Sequence, residues 1–492
     1  MTRKNWLVMA GLGSALAGVL AAGPSATGRQ SQSYPPAISA ADKEAGAKAH
    51  PQLMNEFGGA YTGRQADYVR TVGRKIAVQS GLSNAQGDFT VTLLNSPVNN
   101  AFAIPGGYIY ITRQLTALAN DEAELAGVLG HEVGHVAARH SQRRQQAAQR
   151  NAIGGALLQV LTGAVMGDSA MGGMLQKGIG TGSQLLTLRF SRSQETEADD
   201  LGIRYLARAG YDPLAMSTML GSLADQSALE QQSSGNARSV PEWASTHPDP
   251  GARVTRAAER ARTTAVTSRI RNRDVFLTAV DGILYGDDPE QGIIDGRRFR
   301  HPALRLSFSA PSGYGMENSA DAVGISGSGG KAQFAGGAYS GDLKAYVQKV
   351  FAAVAGQGSP EFELHRTTVN GIPAGYATLG ANTKSGKVDV TVLAYEFSPS
   401  AAYHFLMITP SGTGIGPFAP MVESMARMSA QEAAAVKARK LAVVTVKAGE
   451  TPETFAGRMA YDDLKLERFL VLNGLGRSST LKTGQKVKIV TF

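Results

Sequence analysis

The run DEAELAGVLGHEVGH, Asp121 to His135, decides the fold of the first half of this 492-residue chain. Asp121 with Glu124 three residues later is a helix-start signature, and Leu125, Val128, Leu129 and Val136 recur at helical spacing. His131 and His135 stand four apart, about 40° from each other around the axis, so both imidazoles reach one ion from the same face. Glu132, next to the first, can point at water bound to that ion. The bland reading is a pair of satisfied surface histidines, and the helical setting counts against it. His140, nine positions after His131, falls on the opposite face and reads as a solvated helix-end residue.

A catalytic metal site of this kind needs a third protein ligand and one position left for water. With no cysteine in the chain, thiolate zinc sites, iron–sulfur clusters and cysteine nucleophiles are excluded, so the ligand must be a histidine or a carboxylate. The helix predicted over SRSQETEADDLG, Ser191 to Gly202, is the best supplier. Glu195 and Asp199 are again one turn apart: the first can ligate the ion, and the second can hydrogen-bond the outer nitrogen of a ligating histidine. Glu197 is the rival ligand, about 200° around the helix from Glu195. An ordinary charged helix face would be the reading if HEVGH did not lie upstream.

Outward from these helices, Phe89–Leu94, Ala101–Ile104 and Tyr108–Thr112 read as short strands, the last two joined at Pro105-Gly106-Gly107. A helical stretch is expected around Asn55–Gln79 and a loop at Gln226–Arg238. The four segments NAFAIPGGYIYIT (Asn100–Thr112), HEVGH, ETEADDLG and STHPDPGARV, in this order, resemble the HtpX- and BepA-type gluzincin endopeptidases of peptidase family M48 over about Pro51 to Arg271. The resemblance implies one zinc ion per chain held by His131, His135 and Glu195, with Glu132 as general base and Asp199 behind a ligand. It further implies that His247 approaches the metal from its open side, either blocking it or stabilising the transition state as a catalytic residue, and that Arg253 contacts the developing oxyanion. Read without the family, His247 is a His-Pro turn before a helix. Asn100, Ala101, Phe102, Ala103 and Ile104 resemble the edge strand on which an extended substrate lies through main-chain hydrogen bonds.

Arg3 and Lys4 followed by apolar Trp6–Ala22 read as an export signal, with a retained anchor as the competing reading. The periplasm is the expected location. Asn151–Leu188, rich in glycine and alanine, is interrupted by polar residues before any apolar run reaches spanning length. It is expected as a helical hairpin over the site, with peripheral membrane contact as the functional alternative. The organisation expected is signal 1–28, linker 29–50, metallopeptidase domain 51–275, linker 276–300, accessory domain 301–430, connector 431–441 and a terminal module 442–492. The fold class is α+β: a mainly helical gluzincin domain with a small β-sheet, a second α+β domain and a small βααβ module. FSAPSGYGMEN, Phe308–Asn318, weakly resembles the opening of PsbP- or Mog-like folds. His365 and His404 read as packing residues.

The terminal pieces VKAGET, LNGL and LKTGQKVKI resemble a LysM domain, which implies peptidoglycan as a partner. Gly449, Glu450, Thr451, Asn473 and Gly474 would line its glycan groove. Pro452 departs from the pattern, and a module that only packs against its neighbours is the competing reading. The formal charge of +9 comes from dispersed basic residues, which suits an anionic envelope rather than nucleic acid. Unfolded or extended proteins are the expected substrates. A chaperone-like adaptor and a peptidoglycan-processing enzyme are the alternatives.

Overall fold

The computed structural model describes residues 37–144, 190–233, 243, 246–355, 360–383 and 386–492. The expected signal segment and the stretch Asn151–Leu188 lie outside the described residues. Part of the expected linker 29–50 is helix: α1 is Ala40–Glu56, started by a reciprocal cap between Ser39 and Asp42. The helical stretch expected over Asn55–Gln79 is broken, since Gly58, Gly59 and Gly63 all take positive φ before α2, Arg64–Ala77.

Strands β1 (Thr90–Leu94), β2 (Ala101–Ile104) and β3 (Tyr108–Thr112) form a three-stranded sheet in the order β1-β3-β2. β1 runs parallel and β2 antiparallel to β3, so β2 is an edge. α1 covers one face, where Leu53, Phe57, Phe102 and Tyr110 pack together. The other face receives α3 (Arg113–Leu118) and α4 (Glu122–Ala137), followed by α5 (Arg192–Arg208), α6 (Ala215–Ser233), α7 (Pro250–Thr263) and α8 (Arg273–Val280). α6 continues to Ser233, past the Gln226 start of the expected loop, because Leu229 still buries its side chain.

Small residues let α4 and α5 approach closely: a Cβ on Gly134 would lie 3.2 Å from the Ala198 carbonyl oxygen. One on Gly202 would lie 3.2 Å from the His131 amide nitrogen. This proximity carries Glu195 to the histidines.

The expected linker 276–300 is structured. It holds most of α8, β4 (Leu284–Tyr285), β5 (Ile293–Asp295) and β6 (Arg298–His301), with Phe276, Leu277, Val280 and Ile283 in the core. The accessory domain adds β7 (Leu306–Ser309), β8 (Gly315–Asn318), β9 (Ala322–Gly327), β10 (Gly330–Ala338), α9 (Leu343–Ala355), β11 (His365–Val369), β12 (Ile372–Thr383), β13 (Gly386–Ser398) and β14 (Ala401–Pro410). Seven strands order as β11-β12-β13-β14-β10-β9-β8, all antiparallel. α10 (Ala419–Glu423) and β15 (Ala426–Arg427) follow, and β15 joins β7, β6 and β5 in a second sheet. His404 is buried beside the Tyr346 hydroxyl and His365 sits against Tyr376, which suits packing roles.

After α11 (Ala430–Ala434), the terminal module runs β16 (Arg439–Thr445), α12 (Pro452–Ala456), α13 (Lys465–Leu472) and β17 (Lys486–Thr491), the expected βααβ order. β16 pairs with both β17 and β4. The module is not separable. Leu441, Phe455, Phe469 and Val487 lie in one apolar cluster with Val69, Leu129, Leu206 and Leu220 of the N-terminal half.

Candidate metal centre

α4 opens with the Asp121 side chain accepting from the Glu124 amide, while the Glu124 carboxylate accepts from the amide of Asn120. The helix then presents His131 and His135 with their Nε2 atoms 3.0 Å apart. From α5, Glu195 brings one carboxylate oxygen to 3.4 Å from His135 Nε2 and the other to 3.7 Å from His131 Nε2. These separations bracket the edge of about 3.4 Å expected between donors around a tetrahedral zinc. Glu197, the rival, points outward to His140 and Arg143. His247 completes the cluster: one donor atom each from His131, His135, Glu195 and His247 lie within 4.8 Å of one another, and all four residues are buried.

Several atoms here are buried without a hydrogen-bond partner among the described residues: Glu195 Oε1, His247 Nε2 and Glu132 Oε1. Such groups cost free energy unless something satisfies them. An imidazole and carboxylate set facing one point fits a zinc ion, and the site therefore suits the metal on its own donors. Burial dominates the electrostatics. It pushes His131, His135 and His247 well below the ordinary histidine range, which keeps their lone pairs free to ligate. Burial, then the charge of Glu195, pushes the Glu132 carboxyl well above the ordinary range.

Asp199 lies where it was expected, its Oδ1 3.0 Å from His131 Nδ1, a close contact without hydrogen-bond alignment. Arg253 is a correction. Its Nε donates to Asp199 Oδ2 at 2.8 Å and its Nη2 to Oδ1 at 2.5 Å, while Nη1 donates to Glu195. A guanidinium shared between the candidate ligand Glu195 and Asp199 behind His131 holds both carboxylates in place rather than meeting an oxyanion. Burial pulls its pKa down, but the bonds to Asp199 and the charge of Glu195 outweigh this and raise it.

His140 is a second correction: it is fully buried, with Nδ1 2.9 Å from His135 Nδ1. α4 ends at Ala137 and Arg139 takes φ 53°, so the chain turns back and the nine-residue extrapolation along one helix fails. Two aromatic rings also escaped the sequence reading. Phe190 stacks on His135 at 3.9 Å between centroids, and Trp243 on His247 at 4.1 Å. A tryptophan four residues before His247, one of only two in the chain, was the available signal.

In the edge strand, Asn100 is committed to the sheet: its amide donates to Thr112 Oγ1 and its carbonyl accepts from the Thr112 amide. Phe102 turns away toward α1, and Ala101 and Ala103 face the core beside α4. In the terminal module, Gly449 lies in an exposed turn with Ala448, and half-buried Glu450 and exposed Thr451 lead from it into α12. Asn473 is a correction as a glycan contact. Its side chain donates to the carbonyls of Phe469 and Lys488 and accepts from the Lys488 amide. Gly474 lies against Asn120, whose Nδ2 would be 3.0 Å from an added Cβ.

Residues 63–261 match the sequence profile of Peptidase family M48. This segment is an M48 domain. Over 200 residues the chain is 33% identical to the beta-barrel assembly-enhancing protease of Yersinia pestis, covering 39% of this chain and 38% of that protein. It is 30% identical over 221 residues to the mitochondrial metalloendopeptidase OMA1 of Schizosaccharomyces pombe, covering 44% and 60%. The chain thus spans about two-fifths of the length of the beta-barrel assembly-enhancing proteases it matches. The M48 domain contains both metal-binding helices, the edge strand, His247 and Arg253, and stops before the accessory domain and terminal module. Among the described residues no helix is long and apolar enough to cross a membrane.

Proposed function

We propose that this chain is an exported zinc endopeptidase that cleaves unfolded or misassembled envelope proteins. The observation that carries the reading is the buried donor set of His131, His135 and Glu195 with the Glu132 carboxylate beside it. Zinc held by His131, His135 and Glu195 would lower the pKa of a bound water and polarise a scissile carbonyl. Glu132, held at the site by α4, is placed to accept a proton from an attacking water and return it to a leaving amine. Arg253 fixes Glu195 and Asp199, and so the ligand geometry. The β2 edge offers main-chain groups to an extended segment, a mode that tolerates varied sequence and suits unfolded substrates.

His247 sits among the ligands, 3.5 Å from Glu132 through its Nε2. With Trp243 stacked on it, His247 stands beside the donor atoms, and contact with the open side of the metal is the role proposed for it. Likeness to proteases whose names state assembly enhancement and mitochondrial endopeptidase activity supports a role in protein quality control, and the predicted export signal supports the periplasm.

Glu132→Gln tests the chemistry: zinc content should stay at one per chain while casein cleavage falls by at least about 10³-fold, the scale for losing a group that acts in the transition state. Cleavage at the wild-type rate would reject the mechanism. A peptidoglycan tether is the weaker reading of the terminal module, resting on its βααβ order and the exposed turn at Ala448 and Gly449. Failure of the whole protein to sediment with purified peptidoglycan would remove it.

A further inference from the structure

The two histidine ligands of α4 are backed in different ways. His131 turns its outer nitrogen to Asp199, a carboxylate gripped by Arg253. His135 turns its outer nitrogen to another imidazole. The geometry points to His140 as a positioning residue that fixes the tautomer and ring orientation of His135 through a relay of His140, Glu197 and Arg143. This rests on the metal-centre reading and adds a part to it.

The proton assignment follows from the contacts. His135 Nε2 faces His131 Nε2 and Glu195, so this nitrogen must be the bare one if it is to ligate. Its Nδ1 then carries the hydrogen and needs an acceptor, and the atom 2.9 Å away is His140 Nδ1. A neutral imidazole has one donor and one acceptor, so His140 must carry its hydrogen on Nε2. That nitrogen lies 3.1 Å from Glu197 Oε2. The same oxygen accepts from Arg143 Nη1 and Nη2, each at 3.1 Å, and Nη1 also donates to the Ala138 carbonyl at the end of α4. Each imidazole N–H of the relay thus meets an acceptor, and only one tautomer at each of the two histidines satisfies both.

The frame is fixed independently. Arg139 in the left-handed region turns the backbone, and the His140 carbonyl accepts from Gln194 Nε2 at 3.3 Å, one residue before the ligand Glu195. His140 is wholly buried, so an imidazole there without such partners would be costly. Outer partners of metal-bound histidines set ring orientation and basicity, and their loss lowers metal affinity by about 10- to 100-fold.

Zinc affinity of the whole protein, measured by competition with a chromophoric chelator, tests the relay without reference to turnover. His140→Phe keeps the volume and removes the acceptor, and should weaken zinc binding by about 10- to 100-fold. His140→Asn restores an acceptor at the δ1 position and should stay within about threefold of wild type, while His140→Gln lacks that acceptor and should fall with Phe. Phe binding as tightly as wild type, or Asn no better than Gln, would overturn the relay. The Asn and Gln pair decides the matter if Phe does not fold. Nitrogen-15 correlation spectra of the zinc-loaded wild type give a second readout: His135 should carry its proton on Nδ1 and His140 on Nε2, and the opposite tautomer at His140 overturns the assignment. Tight zinc binding without cleavage would sink the proposed function and leave the relay standing, whereas failure of the wild type to bind zinc takes both down.

Discussion

The accessory domain and the terminal module both follow the M48 segment in sequence, yet they join it in opposite ways. The terminal module shares its apolar core with α2, α4, α5 and α6. Lys488 of β17 reaches across, donating to the carbonyls of Ala117, Leu118 and Ala119 at 2.8, 3.1 and 2.6 Å. These are C-terminal carbonyls of α3, which have no partners within their own helix. Burial, then the charge of Arg273, pushes the Lys488 ammonium well below the ordinary lysine range, and the charges of Glu124 and Asp121 oppose that. The accessory domain instead keeps two cores of its own. It meets the M48 side through polar contacts such as Asn55 with Asp321 and Gln291 with the Gly58 carbonyl. A cavity of about 480 Å³ remains where Arg300, Lys437, Tyr461 and Phe492 converge. Position along the chain is thus a poor guide to independence: the tail belongs to the peptidase body, and the larger middle domain is the guest.

Matched core truncations should break this contrast if it is wrong. Phe469→Ala and Phe308→Ala each remove a buried ring, at about 3–5 kcal/mol. The first should lower the melting temperature of the zinc-binding unit, and the second should destabilise the accessory domain while leaving zinc affinity unchanged. Equal loss of zinc binding in both would join the two regions. Lys488→Met should cost the body about 2–3 kcal/mol by stranding helix-end carbonyls, read in urea titrations. A midpoint at the wild-type concentration would show the ammonium to be dispensable.

Acid should act on the guest through its own histidines. Burial lowers His404 and His301 to about 4 from 6.5. Unfolded chains therefore bind protons between those values that the folded domain refuses, and stability falls as pH drops from 6.5 toward 4, by up to about 1.4 kcal/mol per unit for each residue. His404→Asn, which keeps a hydrogen-bonding partner for the Tyr346 hydroxyl, should make the acid dependence of the accessory domain shallower. An unchanged slope would refute this. Smallest of all should be the effect of excision. Tyr285 pairs directly with Arg439, so Asp288 can be joined to Lys437 by a few glycines and serines. The shortened protein should bind zinc within about threefold of the intact one, since outer-shell contacts, which carry the larger losses, are untouched.

What the sequence could tell follows the range of the forces involved. β2, β3 and the turn between them lie at the residues where alternation and Pro-Gly-Gly placed them. The helix of HEVGH follows from periodicity, and the preference for Glu195 over Glu197 rests on the carboxylate of Asp199 one turn after it. His140 was misplaced because periodicity holds only while the helix lasts, and the left-handed turn at Arg139 carries no strong residue signal. Arg253 was assigned to an oxyanion through family likeness, whereas its partners, 54 and 58 residues earlier, emerge only from packing. Asn473 and Lys488 were illegible for the same reason, since a buried polar side chain is explained by neighbours far along the chain.

The clasp between Lys488 and α3 also sets an order of events. Its partners are separated by 371 residues, and everything between them, including the accessory domain, is made first. The helix bearing His131 and His135 therefore emerges early and waits, its neighbour's carbonyls bare, until β17 arrives to close the fold. A chain interrupted before that strand carries every residue of the candidate metal centre but lacks the lysine that closes the α3 carbonyls.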